Sequence, residues 1–204
     1  MKKILLTSGG LSPGLQKIFL EQIGKEANDI KVIFVPTAAM YSDNAKEYIS
    51  LIMYYMNNMG ILSKNIFMYH LGYLLSKDYN PTYLSDIPTI PSFLRLLSAE
   101  EMNEFDVLFF LGGEAIPLLD EINRTGFNEI IHQAIKNGMF YIGASAGSMI
   151  AAGNLQNGLG YVKNHIEVHC EKGTPCGDLP KEGTIYLTDA QAIWINGDVT
   201  QIIE

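Results

Sequence analysis

Four short apolar runs each stop at a glycine, a proline or a cluster of small residues, and this repeated figure constrains the fold most. The run at 3–6 ends at Ser8-Gly9-Gly10 and the run at 30–35 at Pro36-Thr37-Ala38. The run at 107–111 ends at Gly112-Gly113, and the run at 140–142 at Gly143-Ala144-Ser145-Ala146-Gly147. Runs this short and this apolar, bounded by Gly and Pro, read as parallel strands buried on both faces. Between them lie longer segments of helical spacing. The segment at 14–27 places Leu15, Ile18, Phe19 and Ile23 on one face, and 43–59 does the same with Tyr48, Ile49, Ile52, Tyr55 and Met56. Segments 116–125 and 128–137 supply two more helices, and Gly60 and Gly138 stand where helix C-caps belong. Strand alternating with helix predicts an α/β, three-layer fold around a mostly parallel sheet.

The chain has 204 residues, enough for one substantial core, and 1–204 reads as a single domain without repeats. The stretch 79–91, with Pro81, Pro88 and Pro91, is expected to be a loop. Segments 159–169 and 183–204 are expected to be β, the latter closing in a hairpin turned at Asn196-Gly197.

Charge narrows the choice of partners. The net charge is −8, and no basic stripe carries interleaved aromatics, so nucleic acid is excluded as an expected partner. The apolar start of MKKILLTSGG stops at Thr7, too short for a secretory signal, and no run approaches the roughly 18 residues of a membrane span. Cys170 and Cys176 are expected to be free thiols, because neither a disulfide framework nor a four-ligand zinc site is present. The expectation is a cytoplasmic protein without metal or cofactor, acting on a small molecule with neither membrane nor nucleic acid.

In a parallel α/β sheet, ligands bind outside the carboxyl ends of the strands. Of the loops there, Gly143 to Gly147 fits the pattern G-x-S-x-G. A serine on a sharp strand-to-helix turn has its Oγ pushed into the cleft, and its neighbours must be small. Ser145 is therefore the candidate nucleophile, and the Ala146 amide is a candidate oxyanion donor. Gly113, after the third strand, is placed to supply a second amide. The base must be a histidine. His132 sits in a helical pattern and His70 at the end of a strand-like run, which leaves His165 and His169, both downstream of Ser145. Position alone does not choose between them.

These segments resemble the dipeptidase E family of serine peptidases, family S51, within the class I glutamine amidotransferase-like superfamily. YIGASAGSMI is similar to its nucleophile region, VLFFLGGEAIPLLDEIN to its "GGNT-x-x-LL" segment, and VIFVPTAA to its "PTA" segment. GLGYVKNHIEVHCEKG resembles the stretch that ends in the catalytic histidine, and YLTDAQAIWINGD the closing hairpin. The resemblance runs over nearly the whole chain. It implies Ser145 as nucleophile, His169 as base, and the amides of Gly113 and Ala146 as oxyanion hole. It further implies a class I glutamine amidotransferase-like fold, a small peptide substrate such as Asp-X, and a monomer or homodimer. An amidotransferase is the weaker expectation, since that chemistry uses cysteine where Ser145 stands.

The chain departs from the family at three places. No Asp or Glu lies between Ser145 and Lys163, where the family's triad acid stands. The substitutes are Glu171, which follows the superfamily's His-x-Glu pattern, and Glu167, two residues before the histidine. Glu114 replaces the Asn of "GGN", next to a site of developing negative charge. Val168 and Cys170 flank the histidine in place of Pro and an aromatic residue. The second expectation is therefore a catalytically impaired, ligand-binding relative of the same fold. An acidic substrate would need a cation in the cleft, for which Lys163 and Lys172 are the candidates.

Overall fold

The computed structural model describes residues 1–74 and 95–204. The loop expected at 79–91 lies outside them. The strands in chain order are β1 (Lys3–Thr7), β2 (Val32–Val35), β3 (Ile66–Met68), β4 (Val107–Phe110), β5 (Phe140–Ala144), β6 (His165–Glu167), β7 (Gly177–Asp178), β8 (Thr184–Tyr186), β9 (Ala192–Asn196) and β10 (Val199–Ile203). The α-helices are α1 (Pro13–Ile23), α2 (Ala45–Asn58), α3 (Ala99–Met102), α4 (Ala115–Thr125), α5 (Phe127–Lys136) and α6 (Ala146–Met149).

Eight strands form one sheet in the order β3-β2-β4-β5-β1-β9-β10-β7. The first five are mutually parallel, and β9, β10 and β7 are added antiparallel. This is the expected α/β fold with a mostly parallel central sheet. Alternation along the strands divides the core in two. Leu5, Phe34, Phe109, Ile142 and Trp194 face one side and pack with Leu15 and Phe19 of α1 and Met56 of α2. Ile4, Leu6, Ile33, Val35, Phe110 and Tyr141 face the other and pack with Leu118 and Ile122 of α4 and Ile131 and Ile135 of α5. Three layers result.

Local chemistry sets the ends of the elements. Ser12 caps α1 with its Oγ, which accepts from the Leu15 amide, and Pro13 supplies the first helical residue. The helix stops at Gly24 in a left-handed conformation, earlier than the periodicity of 14–27 suggests. Ser98 and Glu101 bond each other's amides across the first turn of α3, a capping box.

Three expectations change in detail. In the stretch 159–169 only β6 is a strand, and it pairs in parallel with β8 as a separate two-stranded sheet. The helix after Ser145 lasts only four residues. The last hairpin pairs Asn196 with Val199, so its two-residue loop is Gly197-Asp198, with Gly197 at φ 63°.

The antiparallel β9 matters most for the site. Its register pairs Thr7 with Ala192, so the start of β9 lies at the carboxyl end of β1. The turn that precedes it, residues 188–191, is thereby brought to the ligand-binding edge of the sheet.

Candidate active site

The turn after β5 is built by exclusion of side chains. A Cβ on Gly143 would stand 2.5 Å from the Gly147 carbonyl oxygen, and one on Gly147 would stand 2.6 Å from that of Phe110. Both positions therefore admit only glycine. Ser145 itself is held at φ 47°, ψ −106°, a conformation that L-residues adopt only when their surroundings impose it. The restraints are visible. The Ser145 amide donates to the Thr7 carbonyl at 3.0 Å. Ser148 Oγ lies 2.7 Å from the carbonyls of both Thr7 and Gly143. Thr7 Oγ1 donates to Gly143 O, and Tyr141 Oη to Gly147 O. The strained serine is thus bolted to β1 by a buried polar network.

His169 arrives from the loop after β6, itself at φ 59°. Its Nε2 lies 3.1 Å from Ser145 Oγ, and its Nδ1 lies 2.7 Å from Asp189 Oδ1. Asp189 Oδ1 also accepts from Ser8 Oγ at 2.9 Å, and Ser8 Oγ accepts from the His169 amide at 2.6 Å. With Nδ1–H donated to the carboxylate, Nε2 is left as the acceptor for the serine hydroxyl. Gly9 has no Cβ where Asp189 needs the space, since one would approach the Asp189 side chain to 2.8 Å.

The acid expected at Glu171 or Glu167 is corrected here. The carboxylate on the histidine is that of Asp189, from the turn between β8 and β9. Glu167 is an exposed residue of β6, opposite Tyr186 in the β6–β8 ladder. Glu171 is exposed in the loop beyond His169. The left-handed turn at His169 directs its imidazole toward the sheet's edge, where the start of β9 delivers Asp189. The signal was in the sequence, in TDAQ ahead of an antiparallel last hairpin, but it requires knowing that β9 pairs with β1. Ser8 was missed for a related reason. It belongs to a strand-final loop, and nothing in one dimension aligns it with residues 169 and 189.

The oxyanion candidates lie on either side of Ser145. Ala146 opens α6, where an amide has no acceptor within its own helix. Gly112 packs against Ser145, with its missing Cβ position 3.0 Å from the serine Cβ. Gly113 follows at φ 134°, and a Cβ there would overlap the Ala38 carbonyl at 2.4 Å. The neighbouring Glu114 amide donates to that same carbonyl, so the loop after β4 is pinned onto the one after β2. Thr37 in that second loop is braced in turn. Its Oγ1 accepts from the Leu71 amide and bonds His70 Nδ1 at 3.1 Å. Burial lowers the His70 pKa, partly offset by Glu121, in keeping with a neutral imidazole accepting at Nδ1.

A cleft of about 360 Å³ opens over these residues, lined by Ser145, His169, Gly113 and Glu114 and walled by Tyr48 and Tyr55 of α2. Lys163 and Lys172, the cations expected to meet an acidic substrate, are not among its described lining residues. The other histidines stand elsewhere. His132 is exposed on α5 against Tyr161, and His165 is exposed beside Asn154. Cys170 and Cys176 are free thiols. Among the described residues no cluster of His, Cys, Asp and Glu has the arrangement of a metal site, and no helix is long and apolar enough to cross a membrane.

The sequence profile of peptidase family S51 matches residues 81–165. An uncharacterized peptidase of Pasteurella multocida (strain Pm70) is 27% identical over 163 residues, 80% of this chain and 64% of that protein. Over residues 81–165 the chain is similar to peptidase family S51. Among other S51-like relatives, the peptidase E of Streptomyces coelicolor is 40% identical over 55 residues, 27% of this chain and 23% of that protein. The matched stretches thus cover less than two thirds of either relative's length. The fold agrees with two solved structures. A candidate peptidase E protein from Listeria monocytogenes EGD-e superposes with a TM-score of 0.69 at 20% identity, covering 100% of this chain and 98% of that one. A peptidase from an acI-B1 actinobacterium superposes with a TM-score of 0.63 at 17% identity, covering 100% and 87%. The chain thus shares the fold of these two structures, and within it Ser145, His169 and Asp189 converge at the carboxyl edge of the sheet.

Proposed function

We propose that this protein is a serine peptidase of the S51 type that cleaves small peptides through a Ser145-His169-Asp189 triad. The reading rests on one observation above the others, the unbroken chain from Ser145 Oγ through His169 (3.1 Å) to Asp189 (2.7 Å). Ser145 Oγ attacks the scissile carbonyl carbon while its proton passes to His169 Nε2. Asp189 holds the imidazole in the tautomer that can accept that proton and stabilises the imidazolium that forms. The carbonyl oxygen becomes an oxyanion, for which the amides of Gly113 and Ala146 are the donors. Collapse breaks the C–N bond, and His169 returns the proton to the leaving amine. Water, activated by the same histidine, then hydrolyses the acyl–serine ester and restores Ser145.

The names of the relatives, peptidase E and uncharacterized peptidase, favour peptide bonds over other acyl substrates. The cleft volume of about 360 Å³ suits a dipeptide-sized ligand, at the small end of ligand pockets. The alternative of an impaired relative rests on a missing acid and on Glu114, and the carboxylate of Asp189 beside His169 weighs against the first of these. Incubation with a mixture of dipeptides and tripeptides, followed by mass spectrometry, tests the proposal. Release of free amino acids that stops in Ser145→Ala is expected. A folded protein that cuts none of them, or a Ser145→Ala variant that cuts as well, contradicts it.

A further inference from the structure

The cleft has a wall and a charge that the triad does not use. Tyr48, Leu51, Ile52 and Tyr55 lie at helical spacing on α2, so they form one stripe, and all of them line the cleft. Large apolar side chains are normally withdrawn from water, yet Tyr48 is 49% exposed, Leu51 45% and Tyr55 40%. The same helix buries Met56 and packs Ile49, Ile52 and Met53 against the core, so Tyr48, Leu51 and Tyr55 are the part of the stripe left open to the cleft. Glu114 also lines the cleft, exposed, at the start of α4 but making no capping bond with its side chain. Among the described lining residues there is no lysine or arginine.

This combination is wrong for an acidic side chain. A substrate aspartate would meet a carboxylate and aromatic rings, with no described cation to compensate for desolvation. It fits an amino-terminal residue with an apolar side chain. The side chain packs on the α2 stripe, and the free ammonium pairs with Glu114. That ammonium is two bonds from the scissile carbonyl carbon, and Glu114 directly follows the candidate oxyanion donor Gly113. Pairing also removes the difficulty that Glu114 presents, because a neutralised carboxylate no longer opposes the developing oxyanion.

We propose that the cleft selects peptides whose amino-terminal residue is apolar or aromatic and carries a free ammonium, with Glu114 as the ammonium's partner. The inference rests on Ser145 being the nucleophile, and the test separates the two. Phe-Ala, Leu-Ala, Asp-Ala and N-acetyl-Phe-Ala are each incubated with the protein and with Glu114→Gln, and products are quantified by chromatography. A fluorophosphonate probe is used in parallel to report whether Ser145 is reactive in both. The expected kcat/KM for Phe-Ala and Leu-Ala exceeds that for Asp-Ala and for N-acetyl-Phe-Ala by about tenfold or more. Glu114→Gln raises KM for Phe-Ala and narrows the gap to its acetylated form, with Ser145 still labelled. Labelling together with preferred cleavage of Asp-Ala, with indifference to acetylation, or with no cleavage of Phe-Ala or Leu-Ala, overturns this inference and leaves the nucleophile standing. Absence of both labelling and cleavage in the folded protein overturns the serine reading and this inference with it.

Discussion

Asp189 meets His169 across twenty residues of chain, Oδ1 to Nδ1 at 2.7 Å, and the two are joined a second time through Ser8. Both side chains are more than half exposed, 54% for His169 and 64% for Asp189, so their bond gains little from burial. Its value lies in orientation. Asp189→Asn is expected to lower kcat by up to about 10⁴-fold with little change in fold, since an amide can hold the imidazole in the wrong tautomer. Glu171→Gln and Glu167→Gln are expected to stay within a few-fold of the parent. Steady-state rates on one cleaved dipeptide decide it, and a larger loss in Glu171→Gln than in Asp189→Asn would reassign the acid.

Ser8 is 1% exposed and works in two directions, donating to Asp189 and accepting from the His169 amide. Ser8→Ala leaves a backbone donor short of its partner and a carboxylate less well fixed. Stability is expected to fall by about 1–3 kcal/mol. We expect kcat to fall more than KM changes, because the hydroxyl positions His169 through its backbone amide and through Asp189. Denaturant titration and steady-state kinetics on the same preparation check both. A variant with unchanged kcat would show that His169 needs no such brace.

The glycines divide into those that exclude a side chain and those that do not. Gly143→Ala forces a Cβ to within 2.5 Å of backbone. It is expected to cost about 1–3 kcal/mol or more and to displace Ser145. Gly14 lies in the first turn of α1, where a Cβ would find ordinary contact at 3.5 Å. Gly14→Ala is expected to be stabilising by about 0.4–1 kcal/mol. Thermal melts of the pair should move in opposite directions, and equal shifts would contradict the steric account of the turn.

Burial holds the His70 pKa below its ordinary 6.5. As pH falls the unfolded chain takes up this proton first. The stability contributed by neutral His70 is therefore full above about pH 6.5 and is lost progressively as pH falls through the lower folded value. Denaturant midpoints at about pH 7.5 and 5.5 should fall more steeply for the parent than for His70→Gln, since only the parent loses this contribution. Identical pH dependence in both would mean that His70 is not held neutral.

Much of this was legible in one dimension, and what was not has a common cause. Buried parallel strands announce themselves as short apolar runs, so β1, β2, β4 and β5 were placed to within a residue or two. Ser145 stood out because steric exclusion at Gly143 and Gly147 leaves a local spacing. Asp189 and Ser8 left no such trace. Their partnership with His169 depends on β9 running antiparallel beside β1, a pairing of residues nearly two hundred positions apart. Glu171 looked suitable because it follows the superfamily's His-x-Glu pattern, and the left-handed turn at His169 makes that spacing a poor guide here.

The central claim is that Ser145 is activated by His169, with Asp189 behind it. The most direct measurement is the second-order rate of covalent labelling by a fluorophosphonate, with the adduct located by mass spectrometry. The account predicts an adduct on Ser145 that forms rapidly in the parent, far more slowly in Asp189→Asn, and not measurably in His169→Ala. No adduct in the folded parent, or an adduct on Ser145 that forms at the same rate in all three proteins, would contradict it.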